Sequence, residues 1–148
     1  MKWIAYLGLA LSIGSCAATQ EQISERAPAD IGIVNHTGNF IYSATVNGVG
    51  GGNMSAWGAG MPSICCTSIP RVWHPGTKVL VRWDMPDGPK HIFKEKIVEI
   101  ERYDEPGSIY LHFFPNDEVR VIVTNFPGPG PNHPIPRSRK PEPVSTGQ

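Results

Sequence analysis

The stretch that decides the fold is Ile109-Tyr110-Leu111-His112-Phe113-Phe114-Pro115-Asn116-Asp117-Glu118-Val119-Arg120-Val121-Ile122-Val123-Thr124. Val119, Val121 and Val123 alternate with Glu118, Arg120 and Thr124, the period-two pattern of a strand with one buried face. Ile109 to Phe114 is apolar in both phases, which suits a central strand covered on both sides. Pro115-Asn116-Asp117 between them is a natural turn, because proline presets φ and Asn and Asp tolerate left-handed backbone. The stretch therefore predicts a β-hairpin, and the same pattern recurs upstream. Val79, Val81 and Trp83 alternate with Lys78, Leu80, Arg82 and Asp84, which places Trp83 in the core. Phe40, Tyr42, Ala44 and Val46 alternate with Ile41, Ser43 and Thr45. His91 to Arg102 fits two periods: Val98 and Ile100 alternate with Glu99 and Glu101, while Phe93, Ile97 and Ile100 would share a helical face. A strand with a bulge near Ile97 reconciles them. The expected fold is mainly β: a small antiparallel β-sandwich or open barrel of about six or seven strands.

At 148 residues, 40% hydrophobic and 18% charged, the chain is one domain of ordinary soluble composition. The β domain is expected over residues 31–126. Beyond Phe126 come Pro127, Pro129, Pro131, Pro134, Pro136, Pro141 and Pro143 with little apolar bulk, so 127–148 reads as an extended, disordered tail. Thirteen basic and thirteen acidic residues cancel. A neutral chain without a basic cluster gives no electrostatic case for nucleic acid.

The amino terminus carries an export signal. Lys2 precedes an uncharged run from Trp3 to Gly14, shorter than the roughly 20 apolar residues a spanning helix needs. The run ends in Ile13-Gly14-Ser15-Cys16, which resembles the lipobox of bacterial lipoprotein signal peptidase. Residues 1–15 are then a signal peptide, and Cys16 carries lipid. Ser15-Cys16-Ala17 also fits ordinary secretory cleavage after Ala17 or Ala18. Residues 16–30 read as the lipidated cysteine and a polar tether. Ala17 and Ala18, rather than Asp, favour an outer-membrane lipoprotein facing the periplasm.

The chemistry-bearing motifs are sparse. Gly48-Val49-Gly50-Gly51-Gly52-Asn53 lacks the Gly-Lys-Ser/Thr of a phosphate loop and the dinucleotide spacing, so it reads as a flexible hairpin loop running to Gly60. Asn53, Met54, Trp57 and Met61 on such a loop are candidate partner-binding residues. Asp104 and Glu105 form a second candidate patch; they could face Asp117 and Glu118, although Asp104-Glu105-Pro106-Gly107 reads first as a turn. Cys65 and Cys66 form either a strained vicinal disulfide or two free thiols. No further ligands at metal spacing accompany them, and no cofactor motif is present. His36, His74, His91, His112 and His133 are scattered and read as structural or surface residues. No Gly-x-Ser-x-Gly elbow places a nucleophile, so no catalytic residues are expected and the chain reads as non-enzymatic.

Several of these pieces occur in a distinctive order. Asn35-His36-Thr37 is followed by Val46-Asn47-Gly48 and its glycine run, then Cys65-Cys66, Pro70, Trp73 and Pro75-Gly76. Val81-Arg82-Trp83, Arg102-Tyr103-Asp104-Glu105-Pro106-Gly107 and His112-Phe113-Phe114-Pro115 complete it. Over Ile31 to Pro134 this resembles a family of small Gram-negative lipoproteins catalogued as domain of unknown function 3304. Members are often encoded near type VI secretion lipase effectors, and the resemblance implies a periplasmic immunity protein with a secreted lipase as protein partner. It implies no catalytic residues. Two other classes remain open: an envelope lipoprotein binding another outer-membrane component or a glycan through Trp57, Trp73 or Trp83, and an enzyme built on Cys65-Cys66 or the loop carboxylates. The lipid expectation is directly testable. Cells fed a clickable fatty acid should label the parent chain and leave a Cys16→Ala variant unlabelled; an unlabelled parent would overturn it.

Overall fold

The computed structural model describes residues 24–144; the signal segment, Cys16 and the first part of the tether lie outside the described residues. Eight strands are present among them: β1 (Arg26–Asn35), β2 (Ile41–Val46), β3 (Val49–Met54), β4 (Ile64–Pro70), β5 (Lys78–Asp84), β6 (Phe93–Glu99), β7 (Ser108–Phe113) and β8 (Val119–Thr124). They form two four-stranded sheets, ordered β4-β1-β7-β8 and β3-β2-β5-β6. The core lies between them. Ile31, Ile33, Leu111, Phe113 and Val121 from the first sheet meet Ile41, Ala44, Val46, Val81 and Trp83 from the second. This is the expected mainly-β sandwich, with Trp83 in the core. One pairing departs from an all-antiparallel plan: β1 runs parallel to β7, with Ile31 opposite Ile109 and Asn35 opposite Phe113. Parallel neighbours need a long crossover, and here the whole second sheet lies in the chain between them.

Strand β7 is buried on both sides, as its two-phase apolar pattern requires. Ile109, Leu111 and Phe113 face the inner core. Tyr110 faces outward with Val34 and Ile122, where Ala59 and Ile135 pack over it. The cover comes from the 55–60 loop and from the proline-rich segment after Phe126. That segment is not extended at its start: Gly130 N–H donates to Pro127 O and His133 N–H to Gly130 O, two successive turns, and this part is docked rather than free. Gly128 N–H donates to the Tyr110 hydroxyl at 3.2 Å, and His133 is buried. The free end of the expected tail is therefore shorter, and fits the exposed residues 139–144. Three of its side chains find partners: Ile135 packs over Tyr110, His133 bonds to His112 on β7, and Ser138 bonds to His36 just past the end of β1.

Other boundaries move for identifiable reasons. Strand β1 starts at Arg26, inside the expected tether, because Ala27 and Ala29 fill the core phase with side chains too small to register as an apolar pattern. The glycine run is not a loop. Asn47 (φ 49°) and Gly48 (φ 80°) make a two-residue hairpin turn, and β3 follows at once, paired with β2. Gly50 (φ 130°) is held close to β2, where a Cβ would lie 2.7 Å from the Ala44 carbonyl oxygen. In β2 the register shifts between Ile41 and Ala44, so Ile41, Ala44 and Val46 point inward while Phe40 and Tyr42 stay exposed. In β6 the ladder with β5 is unbroken. Ile97 needs no bulge, because it and Phe93 simply face solvent.

Gly32 lies opposite Tyr110, and a Cβ at Gly32 would overlap the Tyr110 ring. Gly32→Ala should therefore destabilise the domain by about 1–3 kcal/mol, read as a lower urea midpoint at unchanged slope. A parental midpoint would show that Tyr110 does not need the space.

Candidate binding face

The outer face of the β3-β2-β5-β6 sheet carries what the inner face could not take. The slip in β2 leaves Phe40 44% and Tyr42 54% exposed, and the regular ladder of β6 leaves Phe93 at 72% and Ile97 at 69%. His91 joins the aromatics into one run. Tyr42 meets the His91 ring edge-on at 4.9 Å between centroids, and His91 lies near-parallel to Phe93 at 6.0 Å. Phe40 extends the run, edge-on to Tyr42 at 6.5 Å. His91 is fixed from below: its Nδ1–H donates to the carboxylate of Asp84, whose side chain is only 1% exposed, and Ile92 N–H donates to the same carboxylate at 3.0 Å. An Arg82–Glu95 ion pair at 3.2 Å flanks the run. An Asp–His pair also occurs in catalytic sites, but there it activates a nucleophile. No Ser, Thr or Tyr hydroxyl hydrogen-bonds to His91 among the described residues. What the geometry provides is a rigid, partly charged aromatic platform.

The opposite outer face is sealed, and it gathers three of the five histidines. His36 Nε2 lies 2.9 Å from His112 Nδ1, and His112 Nε2 lies 3.0 Å from His133 Nε2. One end is set by the Phe126 carbonyl, which can only accept, from His133 Nδ1 at 3.0 Å. His133 Nε2 must then accept from His112, and His112 Nδ1 must accept from His36. His36 Nδ1 is left to accept from the Ser138 hydroxyl at 2.7 Å. One orientation satisfies every atom with all three rings neutral. Phe114 stacks on His36 at 4.2 Å between centroids. Burial is the first cause that holds all three rings below the usual histidine range, with His112 lowered to about 3. The neighbouring Arg120 adds to this at His36 and His112, although Glu101 binds its guanidinium in two places. The relay is linear, so its nitrogens do not converge on a point where a metal could sit.

The sequence-expected contact residues are dispersed. Asn53 is exposed on β3, and Met61 is 58% exposed. Met54 instead packs against the inner core. Trp57 is half-buried at φ 60°, with its indole over Gly38. Their segment is pinned rather than mobile: Asn35 N–H donates to Gly58 O at 2.8 Å, Gly60 N–H to Ile33 O at 2.9 Å, and Trp57 N–H to Thr37 O at 3.0 Å. Asn35 completes the clasp, its amide donating to Asn39 O and Ser55 O while its oxygen accepts from Thr37. Asp104 and Glu105 are exposed in the turn before β7, and Asp117 and Glu118 follow its other end. About 17 Å of strand separates the two pairs, so they do not face each other. Glu105 accepts from Asn125 Nδ2 at 2.9 Å. Trp73 is half-buried, donating from Nε1 to Ile100 O at 2.9 Å. Cys65 and Cys66 are joined as a vicinal disulfide on β4. Sequence reasoning missed the Phe40, Tyr42, His91, Phe93 and Ile97 face. Its signal was there, because Phe93 and Ile97 are in phase with Glu95, opposite to Val98.

The fold and site define a two-sheet β-sandwich with one sealed outer face and one open aromatic face. The model of a family described as "Protein of unknown function (DUF3304)" matches residues 34–121, more than half of the chain. The chain belongs to that family. No curated protein and no solved structure gives a significant match.

The relay makes stability pH-dependent with a definite sign. Its histidines bind protons less readily folded than unfolded, so their contribution is fully present above pH 6.5 and is lost as pH falls below it, at His112 down to about 3. Each histidine contributes a slope of up to about 1.4 kcal/mol per pH unit within that window. Urea midpoints should fall between pH 6.5 and 5, and His133→Phe should flatten the decline. A flat parental profile over that window would refute the neutral relay.

Proposed function

We propose that the protein is a non-catalytic binding lipoprotein, held to the outer membrane through Cys16, that captures a protein partner on its open aromatic face. The observation that carries this reading is the run Phe40-Tyr42-His91-Phe93 with Ile97 on a sheet whose other side is already filled. Exposed aromatic groups fixed on a rigid frame are what binding hot spots are made of, because little entropy is lost on docking. The likeness to lipoproteins encoded beside type VI lipase effectors supports a finer version, in which the partner is a lipase and the protein is its immunity factor. A phospholipase must work at the membrane, and an inhibitor anchored there meets it at high local concentration.

The aromatic run favours one second reading, a glycan stacked on Tyr42 and Phe93. One experiment separates the two. The chain is mixed with a type VI secretion lipase effector, or with soluble peptidoglycan fragments, and titrated. The immunity reading expects lipase binding that Phe93→Ser or Ile97→Ser weakens at least about tenfold. It also expects a gene deletion to sensitise cells to siblings with an active type VI system. Binding to the glycan alone, or survival equal to the parent, would sink it.

A further inference from the structure

The β1–β4 ladder runs Ala29 opposite Thr67, then Ile31 opposite Ile64. Asp30 therefore faces Cys65 and Cys66 alone, one residue against two, which is a β-bulge. Neighbouring side chains on a regular strand point to opposite faces. The bulge brings both sulfurs to one side and sets an Asp30 carboxylate oxygen 3.3 Å from Cys66 Sγ. The three donor atoms all lie within 4.8 Å of one another. Strand β4 is an edge strand, so the cluster is reachable: Asp30 and Cys65 are exposed and Cys66 is half-buried. A disulfide sulfur carries no proton, so it cannot donate to the carboxylate. Among the described residues Asp30 also has no ion-pair partner.

We propose that Asp30, Cys65 and Cys66 form a redox-gated site for a thiophilic divalent cation of the zinc or cadmium class. The disulfide is the closed form. A thiol reductant opens it: two RSH molecules form RSSR, the Cys65–Cys66 sulfur bond breaks, and the two protons and two electrons end on the cysteine thiols. A divalent cation then displaces both protons and binds two thiolates and the Asp30 carboxylate, with water as a fourth ligand. Two thiolates beside a carboxylate would repel one another without a cation, so the charge of the open cluster matches that ligand. Two sulfurs and one oxygen select a soft or borderline ion over magnesium or calcium.

The test uses the full chain carrying Cys16→Ala, so that Cys65 and Cys66 are the only thiols. The protein is reduced with a phosphine, freed of excess anaerobically, and titrated with cadmium while the ultraviolet thiolate-to-cadmium band is followed. The proposal expects one cadmium per monomer in the reduced protein, no band in the oxidised protein, and a dissociation constant raised about tenfold or more by Asp30→Asn. Asp30 is exposed and the change is isosteric, so this variant reports on ligation rather than folding. No band after reduction, one cadmium shared by two chains, an equal affinity in the oxidised form, or a parental affinity in Asp30→Asn would each overturn it.

Discussion

Burial of β7 on both faces is the constraint from which the rest of the molecule follows. A sandwich normally leaves each sheet one wet face. Here Tyr110 and His112 point to that second face and must be kept dry, yet both carry polar atoms that need partners there. The partners are brought from a distance in sequence: the Gly128 amide to Tyr110, and His36 and His133 to the two nitrogens of His112. Docking of the 127–138 segment is thus a consequence of the composition of one strand. The same holds for the 55–60 loop, which Asn35 and Ile33 fasten to β1 through backbone bonds. Among the described residues no buried side-chain nitrogen or oxygen is left without a partner.

Sealing one outer face gives the molecule a direction. Apolar side chains that remain exposed on a sheet are concentrated on the other, where the β2 slip and the β6 phase put Tyr42, Phe93 and Ile97. The platform is stiffened by a buried charge rather than by packing from above. Asp84 is covered and binds both His91 and the backbone of Ile92. That arrangement fixes the His91 ring between Tyr42 and Phe93.

The fold was legible wherever one phase of a strand was plainly apolar. Val79-Val81-Trp83 and Val119-Val121-Val123 needed nothing beyond period two, and Ile109 to Phe114 announced its double burial. Legibility failed where the signal was size or register. Ala27 and Ala29 are core residues with too little bulk to show, and the glycines of β3 read as loop although the left-handed backbone and close approach to Ala44 O require one of them, Gly50. A register slip is invisible in a sequence, so Phe40 and Tyr42 were assigned to the wrong face and the aromatic platform went unseen. The histidine relay was illegible for a different reason. His36, His112 and His133 belong to separate segments, joined by a parallel pairing and a docked segment that no local pattern encodes.

The strand edges bear on the proposed capture of a partner, because they disfavour strand addition. A bare edge strand is a template for unwanted pairing. At β8 the edge is met by the chain leaving β6, with Glu101 N–H donating to Val121 O at 2.9 Å. At β6 the edge carries Lys94, Glu95, Lys96 and Glu99, charges that discourage an added strand. At β4 the edge is broken by the Cys65-Cys66 bulge with the Asp30 carboxylate beside it. The glycine-rich β3 offers an incoming strand few side chains to pack against. Phe93 and Ile97 belong to a guarded edge strand yet project from its open face, so in the proposed complex a partner would bury them by covering the sheet rather than by extending it.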